Sequence, residues 1–206
     1  MTGPRRTQEA RRIEAERRLV AAAAELVGEI GPSKVTLAHV GERAGYSRGL
    51  ATHHFGSKGA LMQRLVDAVT AQFRDAVIDE TPSESLVDEV LGVTRAYFRI
   101  MADLPPLNRA RLVLWADAVA TPSADARPAL IAADREFREE IEKRIERSVL
   151  AGRVPASVDP VGLATAIVAL LRGVALQSML DDQVDLDAAR GEVEELIITR
   201  IGGDES

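Results

Sequence analysis

The chain has 206 residues, 46% of them apolar and 28% charged, and contains no cysteine. That is enough apolar material for a substantial core, and it excludes disulfides and thiolate chemistry. The formal charge of −6 is unevenly divided: residues 1–60 hold ten basic and six acidic side chains, and the remainder holds 16 and 26. A basic first third on an acidic body is the asymmetry expected when only the first part meets a polyanion.

The longest apolar runs, such as "LVAAAAELV" and "LATAIVALL", fall short of the roughly 20 residues of a membrane span. The basic N-terminus has no apolar stretch behind it of the kind a secretory signal needs. A cytoplasmic protein without a membrane partner is expected. Alternating β-branched runs are missing and aromatic residues make up only 3%, so the expected fold class is all-α.

The first helix is expected from about Thr7 to Ile30, with Ile13, Val20, Ala23, Ala24, Val27 and Ile30 on one stripe. Gly31-Pro32 ends it. Thr36 is the expected N-cap of a short second helix whose Leu37, Val40 and Ala44 share a face. Gly45 supplies a sharp turn, and Ser47 is expected to cap a third short helix ending near Phe55. Ser57 caps a long helix from Lys58 to about Glu80, and "TPSES" is a loop. Further helices are expected from Ser85 to Ala102, from Pro105-Pro106 to about Ala120, and from Pro128 to Ala151. Asp159-Pro160 opens another, running to Leu180, and Asp185 caps a last one ending near Ile201-Gly202. The natural seam falls before Lys58. It separates an N-terminal three-helix helix-turn-helix domain, residues 1–57, from a six-helix regulatory and dimerisation domain, residues 58–206.

The stretch "GYSRGLATHHFGSKGAL" spans residues 45–61. Two short helices joined through Gly45 and resting on a longer one make a helix-turn-helix. Leu37, Val40, Ala44 and Ala51 would close a small core. That leaves Ser47, Arg48, Thr52, His53 and Lys58 on or just beyond the outer face, a set suited to a phosphate-lined groove. Arg48 is best placed for guanine O6 and N7, because its planar fork gives two parallel hydrogen bonds. Thr36 and Ser47, at helix starts, would bring free N–H groups to phosphate oxygens. Neighbouring helical residues point about 100° apart, so His53 and His54 cannot chelate one ion as a pair. His53 is read as a phosphate or base contact, His54 as a partly buried structural residue, and His39 as solvated. No catalytic residue, metal site or cofactor is expected.

The segment "VTLAHVGERAGYSRGLATHHFGSKGALM" resembles the DNA-binding domain of the TetR family of bacterial regulators. Thr36, Ala44, Gly45, Ser47, Gly49, His54, Phe55, Lys58 and Leu61 match the family pattern in order. The resemblance implies that Thr36, Ser47, Arg48, Leu50, Thr52, His53 and Lys58 meet double-stranded DNA, and Tyr46 in the turn completes the candidate set. There are departures. Gly41 stands where alanine is usual, which costs about 1 kcal/mol of helix propensity. His39 replaces an acidic capping partner. Thr52 and His53 replace aromatics. Farther on, "GRVPASVDPVGLATAIVALLRGVALQ" resembles the BetI-like branch of the family.

In the body, Gly162, Ala166, Ala169 and Gly173 form a strip of small residues flanked by Leu163, Ile167, Leu170, Leu171 and Val174, and the final helix adds Val193, Leu196, Ile197 and Ile201. The alternatives are burial within one chain and a four-helix interface in a homodimer through helices 159–180 and 185–201. The resemblance implies the dimer. Its two heads would read a palindromic operator about one DNA turn, roughly 34–36 Å, apart. Tyr97, Phe98, Met101, Leu112, Trp115, Phe137 and Gln177 are the candidates for lining a pocket for a small, mostly apolar effector. The expected function is a ligand-responsive repressor released from DNA by that effector. The alternatives are an activator, a ligand-independent regulator or a protein-binding helical scaffold. An enzyme is not expected, since phosphate-loop and dinucleotide glycine patterns and spaced acid–base pairs are missing.

Overall fold

The computed structural model describes residues 8–77 and 85–202. Among them lie nine α-helices and no strand. They are α1 (Gln8–Ile30), α2 (Leu37–Arg43), α3 (Leu50–Phe55), α4 (Lys58–Val77), α5 (Leu86–Asp103), α6 (Pro106–Ala120), α7 (Arg127–Leu150), α8 (Pro160–Leu180) and α9 (Leu186–Gly202). A single 3-10 turn, Pro32–Lys34, joins α1 to α2 and has no counterpart in the sequence reading.

Local capping chemistry sets five of the helix starts. The Thr36 hydroxyl accepts from His39 N, the Ser85 hydroxyl from Asp88 N, and the Ser57 hydroxyl from Ala60 N. Asp159 accepts from Val161 N, and Asp185 from Asp187 N and Ala188 N. Each satisfies an N–H that the helix leaves open. Two expected starts move. α3 begins after Gly49 rather than at Ser47, because residues 48 and 49 form a turn. α7 begins at Arg127, one residue before Pro128. The expected end of α4 near Glu80 and most of the "TPSES" loop lie outside the described residues, as does Thr7.

The chain packs as two compact units. The first joins Met1–Ala71 to Pro105–Leu130, and the second joins Gln72–Leu104 to Ile131–Ser206. These packing boundaries differ from the seam expected before Lys58. The physical reason is α6, which packs along α1 and supplies Ala110, Leu114 and Ala118 to one core with Leu19, Val27, Val40, Ala51, Leu61 and Leu65. Arg109 reinforces the contact by donating from Nε to the Gly28 carbonyl at 3.3 Å. The stripe expected on α1 is buried only in part. Ile13 and Ile30 are exposed, and Leu19, Ala22 and Leu26 are buried with Val20, Ala23, Ala24 and Val27.

In the second unit α5 packs on α8 and α9, and α8 packs on α9. Its interior holds Tyr97, Phe98, Met101, Phe137, Ile141, Ile145, Ile167, Leu171, Ile197 and Ile201. α8 is long and apolar enough to cross a membrane by length and composition, contrary to the sequence expectation. One side of it buries Ala164, Ile167, Val168, Leu171 and Ala175 in the second unit, and its Arg172 pairs with Asp134 of α7.

Candidate nucleic-acid interface

The turn between α2 and α3 is built from two glycines that do different things. Gly45 has φ +77°, a left-handed conformation that glycine enters at little steric cost. Its N–H donates to the Glu42 carbonyl at 3.0 Å, and Tyr46 N–H reaches back to Gly41 O at 2.9 Å. Gly41 is buried, and a methyl group there would stand 2.6 Å from the Ser47 carbonyl oxygen, closer than side-chain carbons come. The sequence reading treated Gly41 as a helix-propensity loss. The packing makes it the residue that lets the turn lie against α2.

Ala51, fully buried, anchors α3 to the head core. Half-buried Leu37, Ala44, Tyr46 and Phe55 pack around that core. With Ala51 inward, α3 and the turn before it present Ser47, Arg48, Thr52 and His53 to solvent. Leu50 is half-buried between the two faces. Thr36 is exposed at the start of α2 with its hydroxyl engaged by His39 N at 3.2 Å. Ser47 lies two residues before the α3 N-cap, Gly49, so it does not deliver that helix's open N–H groups as expected. Lys58 is half-buried and donates from Nζ to Ser33 O at 2.9 Å. An ammonium has three donors, so two remain for phosphate oxygens.

The paired histidines diverge. His53 faces solvent, whereas His54 is mostly buried, with Nε2 3.2 Å from Glu16 Oε2 on α1. Glu16 Oε1 accepts from Arg64 Nε at 2.8 Å and Nη2 at 2.5 Å. The Arg64 hydrogen bonds hold the Glu16 carboxyl below its ordinary pKa, against the opposing effect of burial, and His54 adds to the lowering. One carboxylate thus ties α3 to α1 and α4. Sequence reasoning placed His54 in a structural role but missed Glu16, which lies 38 residues away. It also missed Glu42, whose carboxylate pairs with Arg48 Nε.

The effector candidates fall into both packing units. Tyr97, Phe98, Met101 and Phe137 are buried in the second. Phe73 stands edge-on to both Tyr97 and Phe137, with ring centroids 5.5 and 5.1 Å apart. Leu112, buried, and Trp115, half-buried, belong to the first unit. Gln177 is exposed on α8. On the same helix Gly162, Ala166 and Ala169 of the expected strip are exposed, whereas Gly173 is half-buried. An open apolar groove of about 420 Å³ runs there, lined by Gly162, Leu163, Ala166, Leu170, Leu196 and Arg200 among others.

Comparison with known proteins agrees with this geometry. Residues 19–65 match the family of bacterial regulatory proteins of the tetR type, and residues 88–201 match the C-terminal domain of the BetI-type transcriptional repressor. The second match alone spans more than half of the chain.

The chain belongs to the TetR family.

TetR-family proteins are DNA-binding transcription regulators rather than enzymes, and they bind small-molecule effectors and dimerise. The HTH-type transcriptional regulator BetI of Escherichia coli O139:H28 is 26% identical over 160 residues, 73% of this chain and 82% of its own. The fold is similar to that of a TetR transcriptional regulator from Chloroflexus aurantiacus, with TM-score 0.77, 20% identity and coverage of 93% of this chain and 98% of that one. It is also similar to a transcriptional regulator from Saccharomonospora viridis in complex with choline, with TM-score 0.74, 19% identity and coverage of 92% and 98%.

Proposed function

We propose that this TetR-family chain is a ligand-responsive repressor. Two copies, joined through helices 159–180 and 185–201, read a palindromic operator in the cytoplasm, each through residues 47–54. The observation that carries the reading is the division of α3: Ala51 is buried, while Thr52, His53 and the preceding Ser47 and Arg48 are exposed to solvent. A helix anchored on one side and polar on the other fits the major groove. Residues 1–57 act as the reader, with Leu50 in the reading helix, Thr36 and Tyr46 at its margin and Lys58 just beyond it, and residues 58–206 as the regulatory and dimerising part.

The exposed strip Gly162, Ala166 and Ala169, with Leu170 and Leu196 beside it, supports the dimer. Small residues let helices from two copies approach closely, and the apolar groove supplies surface to bury. Arg200 and Asp159, both among the lining residues, bring opposite charges to the groove.

The effector is a small, mostly apolar molecule received among Tyr97, Phe98, Met101 and Phe137, with Leu112, Trp115 and Gln177 as further contacts. A second reading, a small quaternary ammonium, is favoured by the Phe73, Tyr97 and Phe137 rings. Aromatic faces attract cations, and the relative from Saccharomonospora viridis was solved with choline. Selecting bound fragments from genomic DNA, then titrating apolar compounds and choline against the complex, tests the proposal. Release by an apolar compound supports the first reading and release by choline the second. A protein that selects no fragment contradicts both.

A further inference from the structure

Between Glu29 and Asp67 the chain carries a single acidic residue, Glu42, among five basic ones. A carboxylate on a face offered to phosphates is repelled by them, so its presence calls for a compensating role. Its neighbour Arg43 is turned toward α1, where it donates to Glu29 at 2.8 and 2.7 Å and to Glu25 at 3.3 Å. Glu42 points the other way. Its Oε1 accepts from Nε of Arg48, across the turn that Gly41 allows to lie close. Both partners are solvent-exposed, Arg48 at 78% and Glu42 at 45%. Exposed pairs add little to stability, so folding alone does not explain this one.

The geometry of the guanidinium does. An arginine offers guanine two parallel N–H groups, either from Nε with one Nη or from the two Nη groups. With Nε engaged by Glu42, the end bearing Nη1 and Nη2 is the two-pronged edge left to face outward. We propose that Glu42 is a positioning residue for base recognition. It orients Arg48 end-on toward a guanine, and its charge penalises complexes in which Arg48 rests on phosphate alone. This inference rests on the reading of Arg48 as a base contact.

The test compares two duplexes of equal length, one selected from genomic DNA by the wild-type protein and one of random sequence. Affinities are measured over a range of salt for wild type, E42A, E42Q, R48A and E42A/R48A. Removing Glu42 tightens the random duplex, and the ratio of selected to random affinity falls about tenfold, the scale of one oriented arginine–base contact. E42Q keeps an acceptor oxygen, so it retains more of that ratio than E42A. It also guards against a folding defect in the smaller variant. In the R48A background, removing Glu42 moves both duplexes by the same factor. If R48A lowers the ratio while E42A and E42Q leave it unchanged, Glu42 is only a bulk charge and the inference is overturned, with the Arg48 reading intact. If R48A itself leaves the ratio unchanged, the Arg48 reading falls and takes the inference with it.

Discussion

Arg48 and Lys58 are both cations in the head, but their settings give them different tasks. Arg48 is held at the guanidinium's inner nitrogen with its end free, whereas Lys58 is anchored to the Ser33 carbonyl at the start of α4. Arg48→Ala is expected to cost about 1–3 kcal/mol on the selected fragment and to relax preference at one base position. Lys58→Ala should weaken all duplexes nearly uniformly and reduce the salt slope by about one. Anisotropy titrations at several salt concentrations separate the two. Gly41 gives a prediction of opposite sign to helix propensity. Alanine there gains up to about 1 kcal/mol as a helix former, but its methyl group meets a backbone oxygen at 2.6 Å, which cannot swing away as a side chain would. Crowding of this kind costs roughly 1–3 kcal/mol, so Gly41→Ala should lower the urea midpoint and weaken DNA binding together. An unchanged midpoint would show that the turn relaxes freely.

At the scale of elements, Glu16 joins α1, α3 and α4. Its carboxyl is more acidic in the folded head than in the unfolded chain, chiefly through Arg64. Its contribution is therefore fully present above the ordinary glutamate range and is lost as pH falls through the depressed native value. Arg64 is half-exposed, so solvent screening keeps the contribution small. Glu16→Gln should remove that part of the acid dependence of unfolding. Equal acid sensitivity in both proteins would mean that the network does not couple to folding. In the second unit, Ala166 lies exposed in the α8 strip, and Ala166→Arg should shift sedimentation from dimer to monomer without loss of helix content. Helix starts were the part of the fold most legible in the sequence, because Thr36, Ser85, Asp159 and Asp185 act on N–H groups two or three residues away. Buried faces were less legible. Ile13 and Ile30 fit the α1 stripe but are exposed, since burial depends on where the partner helix runs. Likewise α6 joins the α1 core through contacts such as Arg109 to Gly28, 81 residues apart. The outer face of α3 could be read from spacing alone, whereas Glu42 and Glu16 could not, because each meets its partner only once the turn and the three-helix head have formed.

For the whole molecule, the division of charge matches the division of labour. The basic first third carries the proposed reading surface, and the acidic remainder carries the proposed effector and dimer surfaces. If an effector favours a state with lower DNA affinity, DNA must weaken effector binding by the same factor. Calorimetric titration of the effector with and without the selected fragment should show that equality, and unequal factors would mean that the two ligands do not act through one equilibrium. The central claim is that the outer face of α3 lies in the major groove, and the absence of cysteine makes a direct measurement available. Thr52→Cys places a unique thiol on that face, and Glu139→Cys places one at an exposed position of α7, outside the proposed dimer helices, as a control. Each is mixed with the selected duplex carrying a thiol tethered to a base in the major groove. Disulfide capture at residue 52 and none at residue 139 is the expected result; no capture at 52, or equal capture at both, would contradict it.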